Sequence, residues 1–145
     1  MISTADIIQA RILVVDDDAD TANTLAMVLR EWGYADVHAC TDPCAVRDLH
    51  HQHNYDLIIL DMLMPKMDGF QVMEGLKEFE RYGYLPVLAI TGEPGHKLQA
   101  LTLGAKDFLR KPIDTDELLV RVRNMLEVRL LYKELEAATL RADQV

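Results

Sequence analysis

Short apolar runs that each stop on a polar residue most constrain what this chain can fold into. Ile12-Leu13-Val14-Val15 stops at Asp16-Asp17-Asp18, and the segment Asp56–Leu60 runs straight into Asp61. Neither run alternates with polar residues, so neither reserves a face for water, and both read as strands buried on both sides. Three further segments read as strands: Asp36–Cys40, Tyr84–Ile90 before Thr91, and Lys106–Arg110 before Lys111-Pro112. Helical spacing fills the intervals. Ala22, Leu25, Ala26, Leu29 and Trp32 recur on one face, with Gly33 closing the helix. Thr41 or Asp42 suits the cap of a second helix, with Pro43 in its first turn and Ala45, Val46 and Leu49 facing inward. Asp68 suits the cap of a third that buries Val72, Met73 and Leu76; Leu98–Leu103 is a short fourth, and the last starts near Asp114. Five β-then-α units with short connections predict a parallel sheet with helices on both faces, wound with right-handed crossovers.

A chain of 145 residues predicts one domain with some length left over. Hydrophobic residues make up 50% and charged residues 27%, which excludes wholesale disorder. The formal charge of -9 opposes direct binding to nucleic acid or to an anionic membrane. No apolar run approaches the ~18 residues of a spanning helix, and Met1–Arg11 lacks the pattern of a secretory leader, so a cytoplasmic location is expected. Reduced thiols are then expected at Cys40 and Cys44. With His38, His50, His51 and His53 these cysteines raise the question of a metal site, but C-x3-C followed by H-H-x-H matches no common zinc spacing. A half-buried helix carrying solvated histidines is expected instead.

In an open parallel α/β sheet, ligands bind beyond the carboxyl ends of the strands. The unusual polar residues cluster there: Asp16, Asp17 and Asp18 after strand one, Asp61 after strand three, Thr91 after strand four, Lys111 after strand five. Two carboxylates 4 Å apart repel by about 4 kcal/mol at an effective dielectric near 20, so protons or a cation must relieve them. Oxygen donors without sulfur or imidazole suit magnesium, which keeps waters and phosphate oxygens as its other ligands. An acceptor carboxylate, a cation, a lysine and a hydroxyl are the parts needed for phosphoryl transfer to an aspartate.

Four segments carry a resemblance: Arg11-Ile-Leu-Val-Val-Asp-Asp-Asp18, Asp56-Leu-Ile-Ile-Leu-Asp-Met-Leu-Met-Pro-Lys-Met-Asp-Gly69, Ala89-Ile-Thr-Gly92 and Gly104-Ala-Lys-Asp-Phe-Leu-Arg-Lys-Pro112. In this order, over residues 11–127, they resemble the receiver domains of two-component response regulators, of the chemotaxis-receiver kind. The resemblance implies a flavodoxin-like sheet of order 2-1-3-4-5. It implies that Asp61 accepts a phosphoryl group from a sensor histidine kinase or a histidine phosphotransfer protein. Asp17, Asp61 and the backbone carbonyl of Leu63 would hold Mg2+ directly, and Asp16 mainly through water. Lys111 would pair with the phosphoryl group and Thr91 would move towards it. Phe108 would swing inward as the switch aromatic, and the Lys111-Pro112 bond would be cis. Such a domain is a phosphoacceptor switch that assists its own phosphorylation and dephosphorylation, not an enzyme acting on a separate substrate. The reshaped face would be that of the helix after strand four, strand five and the last helix.

Rival chemistries fail on named residues. A haloacid-dehalogenase phosphatase needs an aspartate two positions after its nucleophile, where this chain has Leu63. A dinucleotide-binding domain needs a glycine-rich turn after strand one, where Asp16-Asp17-Asp18 stands. A receiver-shaped module that is never phosphorylated remains as the third reading. Residues 1–10 read as an N-terminal extension. From 128 to 145 Val128, Leu131, Leu135, Ala138 and Ala142 alternate by three and four, a heptad rhythm predicting a coiled coil or connector helix, with a solvated helical tail as the alternative. Those 18 residues are too few for an output domain, so the chain reads either as a stand-alone receiver or as the front of a longer regulator. A homodimer would form through the switch face or through this helix.

Overall fold

The computed structural model describes residues 2–80, 84–93 and 95–143. Five parallel strands form one sheet: β1 (Arg11–Val15), β2 (Asp36–Cys40), β3 (Leu57–Asp61), β4 (Val87–Thr91) and β5 (Asp107–Arg110), in spatial order β2-β1-β3-β4-β5. The helices are α1 (Thr4–Ile8), α2 (Ala19–Glu31), α3 (Val46–His53, entered through a 3₁₀ turn at Pro43–Ala45), α4 (Gly69–Glu80), α5 (His96–Thr102) and α6 (Thr115–Asp143). This is the doubly wound sheet that the apolar runs predict.

Alternate residues of the central strands feed two cores. Ile12, Val14, Ile59, Leu88 and Ile90 pack against α2 and α6, whereas Leu13, Val15, Ile58, Leu60 and Ala89 pack against α3, α4 and α5. Each fully buried aliphatic side chain contributes about 1.5–3 kcal/mol, so continuous apolar runs are what a two-sided sheet needs. β1 and β3 lie side by side in register, with Val15 opposite Leu60. Their pairing sets the polar residues that follow the two strands next to each other.

The caps explain where the helices begin and end. Asp18 accepts the backbone N–H of Asp20 and the Thr21 hydroxyl, both at 3.0 Å, which fixes α2 one residue beyond the acidic run. Gly33 has φ +109°, the left-handed region that ends α2 cheaply in a glycine. Trp32, expected on the inward stripe, is 65% exposed, because α2 stops at Glu31 and the indole lies past the packed face. Asp68 accepts the N–H of Gln71 at 2.9 Å, while the Gln71 side chain accepts that of Asp68 at 3.0 Å.

Three further readings change. Residues 4–8 form a short helix with a Ser3/Asp6 capping box, and its Ile7 enters the α2/α6 core. β4 starts at Val87, three residues later than the apolar pattern suggests. The preceding Tyr84 stacks on Tyr132 of α6 (4.6 Å between centroids), and its carbonyl accepts from Arg129. His50 is not solvated: it is 5% exposed, packs edge-on to Phe79 at 4.6 Å, and its Nδ1 accepts the N–H of Tyr55 at 3.1 Å. Asn54, in the left-handed region at φ 54°, turns the chain back so that this N–H faces the ring. Burial pushes the His50 imidazole down to about 4, so it is neutral at pH 7.

α6 continues well past the sheet. The buried Asp56 carboxylate accepts the N–H of Arg11 (3.0 Å), Arg129 Nε (3.3 Å) and Lys133 Nζ (3.1 Å), tying the helix to the starts of β1 and β3. Such a charge is tolerable when buried because it is paired and hydrogen-bonded. Alongside and beyond this clamp the heptad positions Val128, Leu131, Leu135, Ala138 and Ala142 face solvent, Leu135 being 64% exposed. Among the described residues, no helix is long and apolar enough to cross a membrane.

Candidate functional site

The carboxyl ends of β1 and β3 bring Asp16, Asp17 and Asp61 together, with one carboxylate oxygen from each inside a 4.8 Å cluster. Asp16 and Asp61 are buried and Asp17 is exposed. From the end of β5, Lys111 reaches across with its Nζ 3.3 Å from Asp61 Oδ2 and 3.8 Å from Asp16 Oδ2. The Lys111-Pro112 peptide bond is cis. Two local bonds hold the acids in position: Asp16 Oδ1 accepts the N–H of Asp18 at 3.0 Å, and Asp61 Oδ1 accepts that of Leu63 at 3.1 Å. One oxygen of Asp61 is thus held by its own loop while the other faces the ammonium.

Burial pushes the Asp16 carboxyl up to about 6, and the neighbouring charge of Asp61 pushes in the same direction. The donor set is all oxygen, anionic and open on the Asp17 side, which fits a hard divalent cation such as Mg2+ rather than zinc. The Cys40/Cys44 region does not compete. Both thiols are free, with Cys40 buried and donating to the Asp42 carbonyl, and among the described residues no cysteine or histidine group is gathered closely enough to hold a metal.

Thr91 is buried at the end of β4. Its hydroxyl accepts the N–H of Glu93 at 3.0 Å and lies 3.5 Å from His96 Nδ1, so it is engaged along its own loop. Phe108, in β5 opposite Ala89, is half-buried against the α4/α5 core, and Lys97 Nζ lies 4.8 Å from its ring centroid. Leu63 is exposed beside the cluster. Sequence reasoning thus places the acids and the lysine in one pocket but misses the contacts of His96 and Lys97. Both are ordinary polar residues of a short helix, and no spacing marks them.

Residues 12–123 match the response regulator receiver domain family. The chain belongs to that family. It is the receiver domain of a two-component response regulator, a signalling protein. The DNA-binding dual master transcriptional regulator RpaA of Synechocystis is 41% identical over 118 residues, covering 80% of this chain and 48% of RpaA. The response regulator PleD of Caulobacter vibrioides is 40% identical over 132 residues, or 87% of this chain and 28% of PleD. The chain therefore spans about half or less of the length of these relatives. Among solved structures, the Francisella response regulator 1452 receiver domain superposes with a TM-score of 0.73 at 29% identity, covering 82% of this chain and 98% of that one. NtrX from Brucella abortus gives 0.79 at 27% identity over 90% of this chain and 29% of its own.

Proposed function

We propose that this receiver is a phosphorylation-dependent switch whose acceptor is Asp61. What carries the reading is the convergence of Asp16, Asp17 and Asp61 with the Lys111 ammonium, 3.3 Å from the Asp61 carboxylate. The donor would be the phosphohistidine of a sensor histidine kinase or a histidine phosphotransfer protein. An Asp61 oxygen attacks phosphorus and a P–O bond forms as the P–N bond breaks. The leaving imidazole keeps the electron pair and takes up a proton. Lys111 shifts from the carboxylates to the phosphoryl oxygens as charge develops there. Asp17, Asp61 and the Leu63 carbonyl would hold Mg2+, with Asp16 acting through water, and the bound cation would supply positive charge that lets two anions approach. The Thr91 hydroxyl leaves Glu93 and His96 to donate to the phosphoryl group, Phe108 turns inward, and the α5-β5-α6 face is reshaped. A few kcal/mol of differential contact suffices for such a population shift.

Incubation with Mg2+ and a small acyl-phosphate donor is expected to add one phosphoryl group by intact mass, and an unchanged mass would overturn the reading. The cation should also bind in a pH-dependent way. A carboxyl raised to about 6 destabilises the fold once it ionises, so stability is lost as pH rises from the unfolded value near 4 through 6, and a cation restores it above that range. Calorimetric Mg2+ affinity is therefore expected to fall about tenfold from pH 7 to pH 5, with proton release on binding near pH 6. A flat profile would detach Asp16 from the cation.

For assembly, the reading takes residues 11–127 as the switching domain and the rest of α6 as a connector that pairs with a second copy. The exposed Val128, Leu131, Leu135 and Ala138 row supports it. Sedimentation with and without beryllofluoride tests this: a monomer in both states removes the dimer.

A further inference from the structure

We infer that the first turn of α5 is a latch holding both moving parts of the switch in the resting arrangement, His96 on Thr91 and Lys97 on Phe108. The inference rests on Asp61 being the acceptor and adds the residues that set how readily the switch is thrown. His96 is half-buried in a wedge: its ring meets Phe70 of α4 edge-on at 5.4 Å and 90°, and its Nδ1 lies 3.5 Å from the Thr91 hydroxyl. The next residue, Lys97, places its ammonium 4.8 Å from the centroid of the half-buried Phe108 ring. One helical turn, anchored on α4 through Phe70, thus touches the hydroxyl that must move towards the acceptor and the aromatic that must turn inward.

Neither contact survives the change. A Thr91 hydroxyl that donates to a phosphoryl group beyond β3 has left the His96 imidazole, and a ring that turns inward has left the exposed Lys97 ammonium. Contacts made in one state and not the other bias the equilibrium by their differential free energy. An exposed cation–π contact and a long hydrogen bond are both weak, so each holds the switch back by about two- to fivefold. Because a ligand of the active state binds in proportion to the competent fraction, removing either contact tightens that ligand by the same factor. Both act through Thr91 and Phe108 without touching the acceptor, and are positioning residues.

The test is calorimetric titration of the full chain with beryllofluoride in saturating Mg2+. His96→Leu keeps the apolar contact with Phe70 and removes the nitrogen, and Lys97→Gln removes the cation. Each is expected to bind the mimic about two- to fivefold more tightly than the unmodified chain. His96→Asn, whose amide reaches the position of Nδ1, and Lys97→Arg are expected to return to the original affinity. A merely structural role would weaken binding or lower the melting temperature without tightening anything, and Lys97, being exposed, gives a readout even if His96 variants fold poorly. Wild-type binding with no tightening in folded His96→Leu and Lys97→Gln overturns the latch alone. A wild-type chain that takes up no beryllofluoride overturns the acceptor assignment and the latch with it.

Discussion

Replacing Asp61 by asparagine is expected to abolish the phosphoryl mass increase while leaving the protein folded and no less stable in magnesium-free buffer. The substitution is close to isosteric. The asparagine oxygen can still accept the Leu63 N–H that Asp61 Oδ1 accepts at 3.1 Å, so the loop after β3 keeps its course. What disappears is the nucleophile, because a neutral amide oxygen forms no stable acyl phosphate. The charge balance shifts as well. Asp61 lies in a 4.8 Å cluster with Asp16 and Asp17, and each like-charged pair costs about 4 kcal/mol at 4 Å and an effective dielectric near 20. Its compensation is one ammonium, which remains 3.8 Å from Asp16. Losing two repulsions and one attraction should hold or raise the thermal midpoint, the usual relation between functional sites and stability. The stabilisation conferred by Mg2+ on the unmodified chain should shrink. Intact-mass analysis and thermal melts of the two proteins decide the matter, and a phosphoryl group that persists on Asp61→Asn would move the acceptor elsewhere.

How much of this was legible beforehand depended on which physical signal each element left in the chain. β1 and β3 are continuous aliphatic runs closed by aspartates, and a two-sided sheet permits little else, so their ends and the acids beyond them could be read directly. The apolar pattern starts β4 three residues early because Tyr84, Leu85 and Pro86 extend the run. Their side chains serve α6 and the core: Tyr84 stacks on Tyr132, Leu85 is buried, and Pro86, with no N–H to donate, joins the pairing only through its carbonyl, which accepts the N–H of Ile58 at 3.2 Å. α1 leaves almost no periodic signal in five residues, so 1–10 reads only as an extension, and the Ser3/Asp6 capping pair is the one local signal that marks the helix. The burial of His50 leaves no local signal because its partner is a backbone N–H delivered by the left-handed turn at Asn54, an event of tertiary geometry. The same holds at the candidate site. Asp16, Asp17, Asp61 and Lys111 could be placed from their positions at strand ends. The resting engagement of Thr91 with Glu93 and His96, and of Phe108 with Lys97, depends on how the short α5 docks, which no local pattern encodes.

Gly69→Ala is expected to destabilise the fold by about 3 kcal/mol, against the helix propensity that would ordinarily favour alanine by up to about 1 kcal/mol. Gly69 opens α4 and donates its N–H to the Met62 carbonyl at 3.1 Å, bringing the helix start down onto the loop that carries Asp61. A Cβ at this position would stand 2.5 Å from Met62 Sδ, 2.7 Å from Met62 Cα and 2.9 Å from the Asp61 carbonyl oxygen. The thioether could rotate away, but the other two atoms are backbone. Met62 is held by its own N–H on the Ile90 carbonyl at 2.9 Å, so relief requires lifting α4 or bending the end of β3. Gly75, in the interior of the same helix, supplies the contrast. Its nearest neighbour to an added Cβ is Arg47 Cδ at 3.9 Å, so Gly75→Ala should gain up to about 1 kcal/mol from propensity alone. Urea melts measure both, as midpoint shifts of opposite sign with unchanged slope. Because the strain in Gly69→Ala falls on the carbonyl of Asp61 and on Met62, the same variant should take up phosphoryl groups more slowly, whereas Gly75→Ala should not. Equal midpoints for Gly69→Ala and the unmodified chain would show that the β3 end yields freely, and the tight placement of the acceptor loop would then need another cause.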